Sequence, residues 1–167
     1  MRIYLVRHSD SVARDPSMPD AARYLSARGR VSFREMARRF RDAGGLPSRI
    51  LTSPFVRAVQ TAEILSETLR YDNEVVVDPR FSPGFDVAKL NAVLDGCPCE
   101  REIAFVGHEP DLGGILTRLL SLPQGYAMRK GAIAALDLPL AGDPLRAGLA
   151  WLLTGDRRIE DPAMLVT

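Results

Sequence analysis

The chain has 167 residues, 46% of them hydrophobic and 26% charged, and its formal net charge at pH 7 is +1. This length fits a single domain with its own apolar core, which we predict over residues 1–167. The near-neutral net charge excludes an overall electrostatic field that would attract nucleic acid. No apolar run is long enough for a membrane span, and the two cysteines, Cys97 and Cys99, suit a reducing compartment, so we expect a cytoplasmic protein.

The first predicted element is a strand over Ile3–Val6, a continuous apolar run of the kind that is buried on both faces in a parallel sheet. A loop with the sequence DPSMPDAAR, residues 15–23, separates it from the first helix. That helix presents an apolar face at i, i+3, i+4 and i+7, and it ends at Gly44-Gly45, where left-handed backbone is favourable. Its apolar face consists of Phe33, Met36, Ala37 and Phe40.

A second strand over Ile50–Thr52 leads into a second helix. Ser53 is a good N-cap and Pro54 suits the first helical position, so we predict that this helix begins there. The third strand, Val75–Val77, precedes a short third helix. The apolar positions are Phe55, Val59, Ala62, Leu65 and Leu69 in the second helix and Leu90, Val93 and Leu94 in the third.

The fourth strand, Ile103–Val106, precedes a fourth helix with Pro110 near its start. The chain then changes character, because Ala132–Leu138 and Leu149–Leu153 have strand-like sequences with only the loop PLAGDP, residues 139–144, between them. We predict that these two strands form an antiparallel element. The apolar face of the fourth helix consists of Leu112, Ile115, Leu116, Leu119 and Leu120.

The alternation of strands and helices predicts an α/β fold. We expect a three-layer α/β/α sandwich whose central sheet is mostly parallel, with an antiparallel edge contributed by the C-terminal part of the chain. Ligands of such sheets bind beyond the carboxyl ends of the strands. Residues that directly follow strands are therefore the candidates for a functional site.

The two histidines of the chain occupy equivalent positions, each directly after a predicted strand. His8 lies in the sequence Arg7-His8-Ser9, and His108 lies in Gly107-His108-Glu109-Pro110. A single histidine at a strand end is often only a polar cap that is bonded to backbone. Two histidines at one edge of one sheet indicate a shared site, because that edge is where this kind of fold binds its ligands.

A candidate anion site follows the second strand, in the sequence TSPFVRAVQTAE. The helix N-terminus predicted at Ser53 directs free backbone N–H groups toward the strand ends. Arg57 lies one turn later on the same side, although an ordinary surface ion pair with Glu63 would also explain it. Together with the Arg-His pair after the first strand, Arg57 predicts a phosphoryl ligand, because guanidinium groups pair with phosphate oxygens and a neutral imidazole can attack phosphorus.

Three segments resemble the signatures of the histidine phosphatase superfamily, which also contains the cofactor-dependent phosphoglycerate mutases. LVRHSD is similar to its Arg-His-Gly segment, TSPFVRAVQTAE to its second-arginine motif and VGHEPDL to its second-histidine motif. YLSARG and KGAIAALDL are similar to segments of the compact SixA-like branch, the phosphohistidine phosphatases. The similarities run in the expected order over roughly residues 2 to 138, which makes them far more specific than a single motif.

The resemblance implies a phosphoglycerate mutase-like fold and a phosphatase that uses no metal or other cofactor. It implies that His8 is the phosphorylated nucleophile, with Arg7, Arg57 and His108 around the transferred phosphoryl group. The substrate that it implies is a phosphohistidine-bearing protein or a small phosphorylated molecule. We also predict that three further residues bind substrate: Ser9, Ser53 and Glu109.

The sequence departs from the family pattern in two places. Ser9 replaces the usual glycine, where a side chain could narrow the site or donate its hydroxyl to the phosphate. The glutamate that serves as the general acid in many relatives, after the third strand, is missing. Asp20 matches an aspartate of SixA-like chains and is our first candidate for this role, ahead of Asp86. Because imidazole leaves phosphorus more readily than an alkoxide does, the missing glutamate favours a phosphohistidine substrate.

Three alternatives remain open from the sequence alone. The first is a broad-specificity phosphomonoesterase of the same superfamily, and the second is a phosphoprotein-binding module that has lost turnover. The third is a metal-dependent hydrolase with His8, Asp10, His108 and Asp111 as ligands. We favour this third alternative least, because such sites usually need one more strong ligand.

Overall fold

The structure, a computed structural model, describes residues 1–139 and 146–166. Within these residues strands and helices alternate, with short 3₁₀ turns at Asp20–Ala22, Pro79–Phe81 and Pro162–Leu165. The strands are β1 (Arg2–Arg7), β2 (Arg49–Thr52), β3 (Val75–Val77), β4 (Glu102–Gly107), β5 (Ile133–Asp137), β6 (Gly148–Thr154) and β7 (Arg157–Ile159). The helices are α1 (Ala27–Asp42), α2 (Val56–Leu69), α3 (Val87–Asp95) and α4 (Asp111–Leu119).

The strands form one sheet in the order β3-β2-β4-β1-β5-β6-β7. β1, β2, β3 and β4 pair with one another in parallel, whereas β5, β6 and β7 pair in antiparallel fashion and join the sheet beside β1. The predicted mostly parallel sheet with an antiparallel C-terminal edge is therefore confirmed. β4 lies between β1 and β2, so the three strands that precede His8, Ser53 and His108 are adjacent.

Helices cover both faces of the sheet and bury its apolar side chains in two layers. On one face α1 and α2 pack against Tyr4 and Val6, and on the other face α3 and α4 pack against Ile3 and Leu5. These four consecutive residues of β1 are fully buried. Their burial explains why the sequence of β1 is a continuous apolar run rather than an alternation, and it confirms the predicted three-layer sandwich.

The helix after β2 begins later than the sequence predicts. The N-cap of α2 is Phe55, which is extended and has no side-chain cap, so the N-cap predicted at Ser53 and the first helical position predicted at Pro54 are wrong. The Ser53 hydroxyl instead accepts the Phe55 amide at 3.3 Å and lies 2.7 Å from Nε2 of His108. A contact with a distant strand end has therefore outweighed the local capping preference of this serine.

The other helices and strands agree with the predictions, with one strand added at the C-terminal edge. β7 has only three residues, two of them arginines, which is too short and too polar for an apolar pattern to reveal it. α1 ends at Asp42 and is followed by Gly44 with a φ of +84°, as the glycine pair predicts. Of the predicted loop over 139–144, residues 140–144 lie outside the described residues. No helix in the described ranges combines the length and the apolar character that a membrane span requires.

Candidate active site

The two histidines meet at the edge of the sheet. β1 and β4 pair in register up to Arg7 and Gly107, so the residues that follow them, His8 and His108, leave the sheet side by side. Their ring centroids are 5.2 Å apart, and the two residues are only 7% and 4% exposed. The two imidazoles therefore belong to one buried site.

Hydrogen bonds fix the tautomer of His8. Its Nδ1 lies 2.7 Å from the Ser9 carbonyl oxygen, which is an acceptor, so Nδ1 carries the ring proton. The other ring nitrogen, Nε2, accepts an N–H group from Nε of Arg57 at 3.2 Å. Burial above all, together with the charges of Arg57 and Arg7, lowers the pKa of His8 to about 4. At neutral pH the ring is uncharged, and its Nε2 lone pair can attack an electrophile.

Arg57 is buried beside His8 and directs three N–H groups at two neighbours. Nε donates to Nε2 of His8, while Nη1 and Nη2 donate to the backbone oxygen and to Oδ2 of Asp20 at 2.6 and 2.9 Å. The guanidinium carbon lies over the ring of Phe55, 4.9 Å from its centroid. The ionic partner of Arg57 is therefore Asp20 and not Glu63, so the alternative of an ordinary surface ion pair is wrong.

Asp20 is a carboxylate held between two arginines. Its Oδ1 accepts from Nη1 of Arg23 at 2.8 Å, and its Oδ2 accepts from Arg57. These hydrogen bonds lower the pKa of Asp20 to about 2, and the one from Arg23 contributes most. The group is ionised throughout the neutral range, so the expectation that it acts as the general acid is corrected. In this structure Asp20 is an anion that orients Arg57.

His108 is oriented by Ser53. Its Nε2 lies 2.7 Å from the Ser53 hydroxyl, which also accepts the Phe55 amide. The Ser53 hydroxyl can donate its proton to Nε2, and with that direction the ring proton of His108 lies on Nδ1. Within the described residues, Nδ1 is buried and has no hydrogen-bond partner. Burial and the nearby His8 and Arg57 lower the pKa of His108 to about 3, so this ring is also neutral.

Arg7 supplies a second buried donor. Its Nη1 donates to the Met128 carbonyl oxygen, whereas its Nε is buried and unpartnered in the part of the chain that the structure describes. Arg7 directly precedes His8 at the end of β1, and its charge lowers the pKa of both His8 and His108. An unpaired buried donor costs about 1 to 3 kcal/mol. The Nε of Arg7 and the Nδ1 of His108 therefore indicate a site built for a ligand rich in acceptor oxygens, and a phosphoryl group fits this requirement.

Ser9 and Glu109 are bound to the framework around the site rather than directed at a ligand. The Ser9 hydroxyl donates to the Gly29 carbonyl oxygen at 2.9 Å, so it is not the phosphate donor that the sequence allows. The Glu109 carboxylate accepts the amides of Gly113 and Met128 at 2.7 and 3.2 Å. The prediction that these two side chains bind substrate is corrected, because their polar atoms hold neighbouring backbone in place.

The other carboxylates near the strand ends are also bound elsewhere. Asp86 accepts the Lys89 amide as the N-cap of α3, so this second candidate for the general acid is corrected as well. Asp10 pairs with Lys130 at 2.6 Å, and Asp111 accepts two loop amides. The ligand set of the metal-dependent alternative is therefore not assembled. The described part of the chain contains no group of three or more His, Cys, Asp or Glu side chains that could hold a metal ion.

Three side chains that shape the site lie outside the sequence prediction. Thr61 accepts the Ser9 amide at 3.2 Å and donates to the Arg57 carbonyl oxygen at 2.7 Å, which ties α2 to the end of β1. Phe55 lies under the guanidinium group of the same arginine, and Arg23 holds the carboxylate beside it. The position of Thr61, one helical turn after Arg57, is the signal that could have indicated its role.

The two buried imidazoles predict a loss of stability in mild acid. The pKa values of His8 and His108 are about 4 and about 3 in the fold, against 6.5 for an unperturbed histidine. Below pH 6.5 the unfolded chain therefore takes up protons that the folded chain does not, and each histidine lowers the free energy of unfolding by about 1.4 kcal/mol per pH unit. We expect urea titrations to show that the free energy of unfolding falls by roughly 3 kcal/mol between pH 6.5 and pH 5 from this source. His108→Gln should remove about half of this slope, and an unchanged slope would contradict the assignment.

The comparison with known proteins identifies the family. A family model described as the histidine phosphatase superfamily (branch 1) matches residues 3–82. A protein of unassigned function from Picosynechococcus is 34% identical over 116 residues, which cover 68% of this chain and 69% of that protein. The chain belongs to the histidine phosphatase superfamily.

Within this superfamily the chain is similar to the SixA-like branch. Phosphohistidine phosphatase SixA of Escherichia coli is 28% identical over 145 residues, which cover 86% of this chain and 89% of SixA. The solved structure of the protein histidine phosphatase SixA complexed with tungstate matches with a TM-score of 0.81 at 24% identity, over 92% of this chain and 97% of that one. The predicted branch and the phosphoglycerate mutase-like fold are confirmed. The chain is a phosphatase of this superfamily.

Proposed function

We propose that this phosphatase hydrolyses phosphohistidine on a protein or peptide, through a phosphoryl intermediate on His8. One observation carries the proposal: the Ser9 carbonyl oxygen holds the His8 proton on Nδ1, so the Nε2 lone pair faces Arg57. The nucleophile and an anion-binding guanidinium group are thus already in contact. The similarity to a relative named phosphohistidine phosphatase supports the same substrate class.

In the first step of the proposed reaction, Nε2 of His8 attacks phosphorus while the bond between phosphorus and the leaving group breaks. Nε of Arg57 exchanges its bond to Nε2 for a bond to a phosphoryl oxygen. The two buried donors without partners, Nε of Arg7 and Nδ1 of His108, donate to the remaining oxygens. These groups are held in place by the fold before substrate binds, so they stabilise the transferring phosphoryl group without reorganisation.

In the second step water attacks phosphorus, and the electron pair of the phosphorus–nitrogen bond returns to Nε2 of His8. The ring keeps its Nδ1 proton against the Ser9 carbonyl oxygen throughout, so it departs as neutral imidazole. The water supplies the oxygen of the inorganic phosphate, and its protons pass to the phosphate and to solvent. His8 is thereby regenerated in its starting tautomer, and no further proton donor is needed at its leaving nitrogen.

The carboxyl groups around the site favour a substrate with a good leaving group. Asp20 is ionised at neutral pH, Asp86 caps α3, and Glu109 accepts two backbone amides. None of the three is placed to protonate an alkoxide as it leaves. An imidazole that carries a proton on its second nitrogen leaves as a neutral molecule and does not need this help. Phosphohistidine therefore suits the site better than an alkyl phosphate ester.

The experiment that tests the proposal compares kcat/KM on a phosphohistidine peptide with kcat/KM on an alkyl phosphate. We expect a preference of at least about 10²-fold for the phosphohistidine peptide, which is the lower range of what general acid catalysis contributes. The His8→Ala variant serves to subtract spontaneous hydrolysis. Equal values, or a preference for the alkyl ester, would favour a broad-specificity phosphomonoesterase and overturn the proposal.

We also propose a cytoplasmic location and a single domain over residues 1–167. Cys97 and Cys99 are both free thiols, as expected in a reducing compartment. The described strands belong to one sheet, which supports one folding unit.

A further inference from the structure

A cavity of about 630 Å³ opens next to the phosphoryl-binding groups, on the side of the loop that follows β1. It is lined by apolar side chains and by charged ones, which include Arg14 and Asp15. The residues that matter for its chemistry are Pro16, Met18, Asp20, Arg23, Phe55 and Pro83. Two of them, Asp20 and Phe55, also contact catalytic groups, so the cavity adjoins the site already described.

Phe55 lines this cavity and also contacts two of the catalytic groups. Its ring lies 4.9 Å from the His108 ring, centroid to centroid, and the guanidinium carbon of Arg57 lies 4.9 Å from its centroid. A phosphoryl group bound by these two residues therefore has an aromatic surface beside it. A flat leaving group on that phosphorus can pack against the ring, and an offset or edge-on aromatic pair of this kind is favourable.

Asp20 places a negative charge at the same cavity. Its side chain is 39% exposed. Oδ1 accepts from Arg23 and lies 3.6 Å from Nε of the exposed Arg14, and Oδ2 accepts from Arg57. A carboxylate oxygen has a second lone pair, so Oδ2 of Asp20 can accept one more N–H group without losing Arg57. The cavity thus presents an aromatic face and an anionic acceptor together, which is the complement of a flat, protonated heterocycle.

We propose that this cavity binds the imidazole ring of the substrate phosphohistidine in its protonated form, with the ring packed on Phe55 and its free N–H group donating to Asp20. The proposal rests on the proposed function. His8 Nε2 bonds to phosphorus as the substrate's phosphorus–nitrogen bond breaks, and the electron pair passes to the departing ring nitrogen. Because the second ring nitrogen already carries a proton, the ring leaves as neutral imidazole. Asp20 thus assists the leaving group as an anion that favours the protonated ring.

A second cavity, of about 590 Å³, lies between α4 and the segment that carries Tyr126. It provides a matched comparison, because it also has an aromatic wall and a carboxylate, that of Glu109. This carboxylate is already bound to the amides of Gly113 and Met128. In the described residues, no ring or cation contact joins Tyr126 to a catalytic histidine or arginine. We therefore assign the substrate ring to the cavity of Phe55.

The test uses two small substrates that share a phosphorus–nitrogen bond, phosphoimidazole and phosphoramidate, whose leaving groups are imidazole and ammonia. The measured quantity is the ratio of kcat/KM for phosphoimidazole to kcat/KM for phosphoramidate. Phe55→Leu keeps an apolar side chain and should lower this ratio about fivefold. Asp20→Asn removes the charge and should lower it about tenfold. Tyr126→Leu, the same kind of substitution in the other cavity, should leave the ratio at its wild-type value.

The outcomes separate this inference from the proposed function. If wild-type enzyme hydrolyses phosphoimidazole but Phe55→Leu lowers kcat/KM for both substrates equally, Phe55 acts only by supporting Arg57 and His108, and the inference is overturned while the proposed function stands. A ratio that falls in Tyr126→Leu and not in Phe55→Leu assigns the ring to the other cavity and also overturns it. Wild-type enzyme that hydrolyses a phosphohistidine peptide but not phosphoimidazole overturns the inference, and failure on both substrates overturns the proposed function as well.

Discussion

Replacing His8 with alanine is expected to lower kcat on a phosphohistidine peptide by at least about 10⁴-fold, the scale of loss when a catalytic nucleophile is removed. The oxygen-binding groups Arg7, Arg57 and His108 remain in this variant, so inorganic phosphate should still bind. Binding without turnover is the result that separates a missing nucleophile from a collapsed site. Steady-state kinetics and calorimetric titration with inorganic phosphate measure the two properties independently.

The covalent intermediate provides the stricter test of His8. Brief reaction with a phosphohistidine peptide, quenching in base and peptide mass spectrometry should locate one phosphoryl group on His8. His108→Ala is the matched control, because it removes the other imidazole of the site and leaves the nucleophile in place. This variant should react more slowly and still carry its label on His8. A phosphoryl group on another residue, or near wild-type turnover by His8→Ala, would refute the assignment.

The meeting of the two histidines could be predicted because it depends on strand ends and not on loop conformation. A continuous apolar run such as Ile3–Val6 identifies a strand buried on both faces, and the residue that follows it must lie at the ligand-binding edge of a parallel sheet. The position of β4 between β1 and β2 is not apparent from the sequence. The prediction was independent of that order, since parallel strands end at the same edge in any order.

Side chains whose partners lie far along the chain could not be placed in this way. Ser53 has the local pattern of an N-cap, yet its hydroxyl contacts His108, 55 positions later in the sequence. Asp20 lies in a loop, and the arginine that fixes its Oδ2 is 37 positions away. Its low pKa, and hence its role as an anion instead of an acid, follows from contacts that only the folded chain creates. Local preference was a poor guide at these positions because tertiary hydrogen bonds outweigh it.

Replacing Arg57 with alanine is expected to lower kcat/KM by about 10³-fold or more, as for other arginines that stabilise a transferring phosphoryl group. Three losses combine in this variant. The phosphoryl oxygens lose a donor, and Asp20 loses two hydrogen bonds and becomes a less balanced negative charge beside the incoming phosphate. His8 also loses a positive charge that lowers its pKa, so protonation of the nucleophile should begin at higher pH than in wild-type enzyme.

Arg57→Lys separates charge from geometry, because lysine keeps the positive charge and loses the planar fork that reaches His8 and Asp20 together. The profile of kcat/KM against pH, with spontaneous hydrolysis subtracted, reports both properties. Charge near His8 sets the pH at which activity falls in acid, and the hydrogen-bond geometry sets the height of the neutral plateau. We expect the lysine variant to recover the acid limb of wild-type enzyme with a plateau that stays low. If lysine restored the plateau, charge alone would account for phosphoryl transfer, and the role assigned to the guanidinium fork would be wrong.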